Sequence, residues 1–515
     1  MRMMREVQGC LAAAQTEVLH GRLAAARIIL AQALAIHPTS VELRRAQAGV
    51  LDKSGRHADA EELFRVLLGE DAGDAASAFS LASILKNRGS TAAAAMVMRR
   101  CLASRSNSGD PDLAIQAIEL LDDCDRKADA AAIAAAAIDA NPNEPRLRAY
   151  AGMLQMQLGE FERARRHYLF ALQYDERAWE WHVPIGLASA QRYESCEHPD
   201  LTLLRNGLER GGLSDKACAE LHFALGKAHD DFGDYEEAAR HFREGNAIAH
   251  RLTKWSRKAW RRAVEARLAS PAGTQHVHPM PCFTPVFIVG MPRSGTTLLA
   301  ELLSRHPKVC NRGELPWIAK LAGLSSLAGN PDRASIEDAA VTYAAHSRQD
   351  DPGDACWFID KQPLNFRYVD LMLTMFPQAK IIHCRRNERD VALSLWMQCF
   401  LEEVQGYSYD FDDMALVMHD CEKLMGRWQD RWPDSIRTVR DEESVADSRV
   451  VVESLAAWIG FPVSQTATSA ASSSAINTAS LWQVRQPVHS HSVRRWTRYI
   501  ECLPELSQFA DGHPR

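Results

Sequence analysis

The stretch that organises this chain of 515 residues is PVFIVGMPRSGTTLL, at positions 285–299. Its apolar run at 286–289 predicts a buried parallel strand, and the apolar residues at 298–303 predict a helix. Between the two lies a loop bounded by Gly290 and Gly295. A strand, a glycine loop and a helix in succession point backbone N–H groups at an anion. The stretch therefore predicts an anion-binding loop within an α/β domain.

This loop is close to a nucleotide P-loop but departs from it at the decisive position. Its glycines have the G-x-x-x-x-G spacing, yet Thr296 and Thr297 follow where the nucleotide motif has Lys and then Ser or Thr. The lysine for the β- and γ-phosphates is missing, and a cation, Arg293, stands inside the loop instead. The loop favours a nucleotide with one terminal phosphate-like group over ATP with magnesium.

Length and composition limit the number of domains and the classes of protein to consider. A chain of this length predicts two or three domains, and a net charge of −6 gives no reason to expect nucleic-acid binding. No apolar run reaches the roughly 18 residues of a membrane helix, and the N-terminal sequence lacks the apolar core of a signal peptide. The 12 cysteines include no C-x-x-C pair, which favours reduced thiols in a cytoplasm over disulfides or a zinc site.

The first half of the chain repeats every 34 residues. Glycines at 21, 55 and 89 keep that spacing, an alanine follows each after five residues, and the pattern continues at 125, 159 and 233. Small residues at fixed positions let paired helices approach closely, and the period resembles that of the tetratricopeptide repeat. The repeats predict an α-helical solenoid, with pure architecture and a partner-binding concave face as alternatives of similar weight. The segment 179–213 interrupts the pattern.

The predicted boundaries give a helical solenoid at 1–250, a basic helix and linker at 251–284, and an α/β domain with a central parallel sheet at 285–515. Within the linker, His276 and His278 form a His-x-His pair. No third metal ligand is near them in sequence, so ordinary linker histidines are the preferred interpretation and no metal site is predicted.

Candidate residues for chemistry lie downstream of the loop. Glu314 follows it closely enough to lie beside a bound nucleotide, although a surface carboxylate is the simpler interpretation of that residue alone. Lys361 comes directly after an apolar run, at the strand end where open α/β sheets place ligands. Arg386 follows a second apolar run, at 381–384, and Ser394 lies eight residues further on. An arginine and a hydroxyl so placed can bracket one anion.

Together these segments resemble the sulfotransferases that use 3′-phosphoadenosine 5′-phosphosulfate (PAPS). The loop PRSGTTL at 292–298 is similar to the 5′-phosphosulfate loop of the tyrosylprotein sulfotransferase branch and its bacterial relatives fused to tetratricopeptide repeats. Arg386, Arg389 and Ser394 resemble the 3′-phosphate motif of that branch, and Glu314, 21 residues after Arg293, has the place of its catalytic base. The resemblance covers about residues 285–500 and implies a P-loop-like α/β fold.

The resemblance also implies further site residues. Lys361 corresponds to the family's catalytic lysine, although Lys-Gln-Pro stands here for Lys-Asp-Pro. Ser480 and Arg495 fall in a tail similar to the one that closes over the cosubstrate, with Arg495 in place of a lysine. Where the family often has Tyr-Glu, this chain has Asp441-Glu442, so the adenine-side contact is open. The implied PAPS-binding set is Arg293, Ser294, Gly295, Thr296, Thr297, Leu298, Arg386, Ser394, Ser480 and Arg495.

The function implied is sulfuryl transfer from PAPS to an acceptor hydroxyl by in-line displacement, with Glu314 as base, Arg293 and Lys361 stabilising charge, and no metal. The acceptor is open among a tyrosyl peptide recruited by the repeats, a sugar, a lipid and a small phenol. Two other classes compete: a P-loop nucleotide kinase or NTPase, and a repeat scaffold with a degenerate nucleotide domain.

Overall fold

A computed structural model describes residues 2–104, 106–107, 109–269, 280–327, 329, 331–400, 403–461 and 493–509. The chain divides into two compact units, which are Met1–Tyr150 with Gln349–Asp351, and Ala151–Arg348 with Pro352–Arg515. The division between them falls inside a helix, Pro145–Leu158. The boundaries at 250 and 284, which follow the sequence pattern, stay predictions. The predicted linker histidines, His276 and His278, lie outside the described residues, as does Ser480.

In the first unit, consecutive helices pack side by side in pairs, as the 34-residue period predicts. The glycines at the turns, Gly21, Gly55 and Gly89, have φ values of +72°, +77° and +79°, a left-handed conformation that costs glycine nothing. Asp125 takes the same place in the fourth pair with φ +57°. The alanines five residues after each turn are fully buried, which lets the paired helices approach closely. The helices are α1 (Arg2–Leu19), α2 (Leu23–Ile36), α3 (Val41–Lys53), α4 (His57–Glu70), α5 (Ala75–Asn87), α6 (Thr91–Leu102), α7 (Pro111–Asp123) and α8 (Lys127–Ala140).

Helical pairs continue into the second unit. Gly159 and Gly233 again make left-handed turns. The predicted interruption at 179–213 is confirmed, because that region holds a 3-10 helix (Glu176–Glu180) and two short helices. The helices of this part are α9 (Pro145–Leu158), α10 (Phe161–Tyr174), α11 (Val183–Ser189), α12 (Pro199–Glu209), α13 (Asp215–Asp231), α14 (Tyr235–Leu252) and the predicted basic helix, α15 (Arg257–Ala269).

A five-stranded sheet forms the centre of the α/β part of the second unit. Its order is β2-β3-β1-β4-β5 and every pairing is parallel. The apolar runs predicted as strands are confirmed as β1, β3 and β4. The strands are β1 (Thr284–Gly290), β2 (Val309–Asn311), β3 (Trp357–Asp360), β4 (Lys380–Arg385) and β5 (Ile436–Arg440).

Helices cover both faces of this sheet, which explains why its central strand β1 is apolar and buried along nearly its whole length. On one face Val286 and Ile288 pack against the first helix after β1 and the last helix after β5. On the other face Phe287 and Val289 belong to a large cluster that includes α14 and α15 residues. The remaining helices are α16 (Thr296–Ser304), α17 (Trp317–Ala322), α18 (Arg333–Arg348), α19 (Val369–Met375), α20 (Glu388–Trp396), α21 (Phe411–Arg431), α22 (Asp441–Ala446) and α23 (Ser448–Ile459).

The fold class predicted from sequence is confirmed, with a helical repeat solenoid followed by a domain with a central parallel sheet. Among the described residues, every helix is too short or too polar to span a lipid bilayer.

Candidate active site

The candidate site lies at the carboxyl edge of the sheet, where strand order reverses. From the central strand β1 the chain passes over β3 to reach β2, whereas from β3 it crosses β1 to reach β4 and then β5. Adjacent strands whose connections depart in opposite directions leave a crevice at their carboxyl ends, and open α/β sheets bind ligands there. The loops after β1 and β4 therefore define the site.

At both ends of the loop after β1, the backbone takes a conformation that glycine adopts more readily than any other residue. Gly290 has φ +140°, and a Cβ there would lie 2.3 Å from the carbonyl oxygen of Cys384 on β4. Gly295 has φ +86° and caps α16 without a side-chain hydrogen bond. Between them the Ser294 hydroxyl donates to the Met291 carbonyl at 2.7 Å, which closes the loop. The positive end of the α16 dipole thus faces the loop, as an anion site requires.

Arg293 lies inside this loop and connects it to α20. Its Nε donates to the Ser394 hydroxyl on α20 at 2.9 Å, and its own φ is +73°. Burial, together with the neighbouring charges of Arg386 and Arg495, lowers the pKa of Arg293 to about 10. Arg386 and Arg495 are therefore close enough for their charges to act on Arg293, and a bound anion would offset that repulsion.

Arg386 follows β4 and reaches back to the loop. Its Nη1 donates to the Arg293 carbonyl at 3.2 Å. Its Nε lies 3.5 Å from Asp441 Oδ2, in an ion pair whose side chains are only 10% and 6% exposed. Burial raises the pKa of Asp441 above its ordinary value, although Arg386 opposes that shift. The sequence singled out Arg386 as an anion ligand but did not assign it this internal carboxylate.

A second group of predicted residues meets at the end of β3. Lys361 Nζ donates to Glu314 Oε1, with side-chain exposures of 3% and 27% respectively. The Lys361 N–H also donates to the Gly313 carbonyl at 2.7 Å. The structure therefore brings together the predicted base and the predicted lysine, which are 47 positions apart in the chain.

Asp360 supports this pair and was not identified from sequence. Its Oδ1 accepts the Leu315 N–H at 3.3 Å, next to Glu314, and its Oδ2 accepts the Tyr343 hydroxyl at 2.9 Å. Burial raises the pKa of Asp360 to about 7. Its position directly before Lys361, at the end of a buried strand, is the signal that could have marked it.

The C-terminal segment carries Arg495, which, unlike Ser480, lies among the described residues. Its guanidinium pairs with Asp230 on α13, and the same carboxylate accepts the Tyr499 hydroxyl at 2.7 Å. Arg389, placed by sequence in the 3′-phosphate motif, donates from Nε to the Phe509 carbonyl at 3.1 Å and lies over the Trp496 ring. Arg495 is near enough to help lower the pKa of Arg293. Arg389 contacts the C-terminal segment.

The described residues contain no group of three or more His, Cys, Asp or Glu side chains arranged to hold a metal ion. The ligand chemistry of the site is instead that of cations and backbone N–H groups, which suits phosphate and sulfate.

Comparison with known proteins agrees with this geometry. Residues 285–465 match a family model described as "Sulfotransferase family", and residues 18–84 match one described as "Tetratricopeptide repeat". The C-terminal part of the chain therefore contains a sulfotransferase-family domain, and the N-terminal solenoid contains tetratricopeptide repeats.

Two curated relatives give the extent of the similarity. An uncharacterized protein of Aquifex aeolicus (strain VF5) is 26% identical over 396 residues, which are 71% of this chain and 51% of that protein. Nodulation protein NoeE of Sinorhizobium fredii (strain NBRC 101917 / NGR234) is 31% identical over 152 residues, 25% of this chain and 35% of that protein. The chain spans about half the length of the first relative and about a third of the second.

Among solved structures, a tetratricopeptide repeat protein from Parabacteroides merdae ATCC 43184 has a TM-score of 0.28 at 15% identity, covering 50% of this chain and 96% of that one. The Pseudomonas aeruginosa pilF structure has a TM-score of 0.31 at 15% identity, covering 52% of this chain and all of that one (100%). These scores are too low to support an argument about fold or function.

Proposed function

We propose that this protein transfers a sulfuryl group from PAPS to an acceptor hydroxyl. The observation that carries the proposal is the meeting of two sets of residues at one sheet edge. Arg293, Ser394 and Arg386 make a cationic site, and Glu314 with Lys361 makes a base beside a buried ammonium. A nucleotide with phosphate groups at both ends and an acceptor with a hydroxyl fit that pair of sites.

The cationic site suits the two phosphate groups of the nucleotide. The loop N–H groups from Ser294 to Leu298, with the hydroxyls of Thr296 and Thr297, hold the 5′-phosphate at the α16 N-terminus. Arg386 and Ser394 hold the 3′-phosphate, the group that distinguishes PAPS from ATP. The lowered pKa of Arg293, caused by burial and the nearby arginines, supports an anionic occupant because the anion restores favourable charge.

The chemistry needs positioning and charge stabilisation more than covalent help from the protein. Glu314 takes the acceptor proton as the acceptor oxygen bonds to sulfur. The bond from sulfur to the bridging oxygen breaks, and adenosine 3′,5′-bisphosphate leaves. Glu314 is exposed enough for an acceptor to approach. Lys361 orients the Glu314 carboxylate and, with Arg293, stabilises charge on the sulfonate and the bridging oxygen. General-base catalysis of this kind contributes about 10²–10⁴ in rate.

A protein tyrosine is the acceptor that we favour. A phenol has a pKa of about 10, so it benefits from a carboxylate base, and the tetratricopeptide repeats support protein binding. The tyrosylprotein sulfotransferase branch thus remains our proposal for the relationship within the family. Ser480 and Arg495 complete the proposed cosubstrate site from the tail.

Calorimetric titration with adenosine 3′,5′-bisphosphate, with and without magnesium, tests the cosubstrate. We expect micromolar binding that does not depend on magnesium and that is lost in Arg386→Ala. Arg385→Ala is the matched control, because this neighbouring arginine pairs instead with Glu422 at 3.0 Å. The control should bind like the wild type.

The outcomes separate the competing functions. Magnesium-dependent binding of ATP would support phosphoryl transfer, and a folded wild-type protein that binds neither nucleotide would leave the repeats as the functional part. Once binding is established, release of adenosine 3′,5′-bisphosphate from PAPS should be measured with a tyrosyl peptide, a sugar, a lipid and a small phenol. Turnover with one of these classes identifies the acceptor.

A further inference from the structure

Asp441 places an anion of the protein itself inside the cationic site. Its Oδ1 lies so close to the loop that a Cβ on Gly295 would be 2.1 Å away. Its Oδ2 is the ion-pair partner of Arg386. The residue is 7% exposed, so water does little to screen its charge. The carboxylate therefore lies between the start of α16 and the arginine proposed to bind the 3′-phosphate.

The charges around Asp441 come from four elements. Arg386, after β4, and Arg293, in the loop after β1, favour its ionised form, whereas Glu442 on α22 and Asp390 on α20 oppose it. Its charge also acts on the buried Cys384 thiol of β4. A phosphate that pairs with Arg386 would therefore meet a carboxylate already there.

We propose that Asp441 takes up a proton when the nucleotide binds, and that it thereby sets the affinity of the site for the bisphosphate. The inference rests on the proposed function, since it assumes that the 3′-phosphate binds Arg386. A dianionic phosphate beside an ionised carboxylate is repelled, whereas the protonated carboxyl group can donate a hydrogen bond to a phosphate oxygen. Solvent supplies the proton and no covalent bond changes.

The direction of the pH dependence follows from this linkage. Burial already raises the pKa of Asp441 in the protein without nucleotide, and a nearby phosphate raises the pKa further. Between those two pKa values the bound protein holds more protons than the free protein, so binding takes up a fraction of a proton. The nucleotide therefore binds more weakly as the pH rises through that window, and the loss is absent where residue 441 cannot ionise.

Titration calorimetry with adenosine 3′,5′-bisphosphate tests the coupling. Binding is measured at several pH values from about 4.5, just above the ordinary pKa of an aspartate, to about 8.5. Each measurement is repeated in buffers of differing ionisation enthalpy, because the dependence of the binding enthalpy on that quantity gives the number of protons taken up. The comparison is among the full-length wild type, Asp441→Asn and Glu442→Gln. Glu442 is the matched control because it is the adjacent carboxylate and accepts the Asn387 N–H at 2.8 Å.

We expect the wild type to take up about half a proton more than Asp441→Asn, the most that a rise of about one unit in the Asp441 pKa allows. The phosphate groups of the ligand titrate equally in both proteins, so their contribution cancels. Asp441→Asn should bind about tenfold more tightly at the highest pH, the effect of one unit of pKa shift, and Glu442→Gln should keep the uptake. Equal uptake in wild type and Asp441→Asn, or weaker binding by Asp441→Asn, overturns the inference. No binding by any variant instead overturns the proposed function.

Discussion

Two carboxylate–cation pairs lie at the carboxyl edge of the sheet, and they differ in what surrounds the carboxylate. At the end of β3, Glu314 is 27% exposed beside a Lys361 side chain that is 3% exposed. At the end of β5, the Asp441 side chain is 6% exposed beside Arg386 at 10%. The accessible carboxylate can meet an acceptor directly, whereas the enclosed one is reached only by an anion that binds in the loop. Similar ion pairs thus suit catalysis in one place and control of binding in the other.

The largest expected effect separates the two pairs. Glu314→Gln should lower kcat by about 10²–10⁴, because the amide cannot accept the acceptor proton, and should leave affinity for adenosine 3′,5′-bisphosphate unchanged. Steady-state turnover and calorimetry on the same preparation measure both. Glu453→Gln on α23, an exposed carboxylate paired with Arg449, is the control. A large loss of nucleotide affinity in Glu314→Gln would mean that this pair belongs to the binding site instead.

The sequence singled out both residues of one pair but only the arginine of the other, for a physical reason. Glu314 and Lys361 follow a recognisable loop and strand, and their positions relative to the glycine loop carry the information. Asp441 was noted only as a departure from the family pattern, because its pairing with Arg386 depends on β4 and β5 being neighbours. Asp360 was missed in the same way, since its partner Tyr343 comes from α18. Strands and repeats have local signatures, whereas contacts between distant elements do not.

The glycines at the site should differ in how well they tolerate alanine. We expect Gly290→Ala to destabilise the fold most, by roughly 3 kcal/mol or more, because its Cβ would meet the backbone oxygen of Cys384. Gly295→Ala should cost about 1–3 kcal/mol, because the obstacle is the Asp441 side chain, which can rotate. Gly313→Ala should cost about 1 kcal/mol, since φ is +63° but nothing lies within 4 Å.

Denaturant unfolding of the three glycine variants measures this order. Gly313→Ala is the control for backbone strain, so its difference from Gly295→Ala isolates the contact with Asp441. Equal losses of stability for Gly295→Ala and Gly313→Ala would show that the Asp441 carboxylate does not contact the loop closely. The Asp441–Arg386 pair would then be no more enclosed by the loop than the Glu314–Lys361 pair.

A smaller effect concerns Asp360, which accepts a hydrogen bond from the residue after Glu314. Tyr343→Phe removes the hydrogen bond to the buried Asp360 carboxyl group and should cost about 1–3 kcal/mol. Tyr407→Phe is the control, because the buried Tyr407 hydroxyl has no hydrogen-bond partner among the described residues. Urea unfolding of both variants provides the comparison, and equal stability losses would contradict a special role for the Tyr343 contact.

The same support predicts a pH dependence of stability. Burial raises the pKa of Asp360 to about 7 in the folded protein, above the value of about 3.9 expected when unfolded. Between those values the folded state binds more protons than the unfolded state, so the contribution of Asp360 to stability falls as the pH rises. The free energy of unfolding of the wild type, relative to Asp360→Asn, should therefore decrease from about pH 4 to about pH 7. A difference that does not change with pH would place the Asp360 pKa near its ordinary value.

The smallest expected effect distinguishes the arginines around the phosphates. Arg495→Lys should weaken binding of adenosine 3′,5′-bisphosphate by no more than about threefold, because a lysine keeps the charge although it loses the guanidinium fork, and Arg495→Ala by about tenfold. Arg498→Ala is the control, because Arg498 is a tail arginine that contacts the Tyr235 hydroxyl, and this variant should bind like the wild type.

Arg386→Lys should weaken binding more than Arg495→Lys does, because the Arg386 guanidinium contacts both the Arg293 carbonyl and Asp441. Equal losses for the two lysine variants would show that geometry matters as much in the tail as between the strands. An Arg495→Ala protein with unchanged affinity would confine Arg495 to its pairing with Asp230, leaving phosphate binding to the loops after β1 and β4.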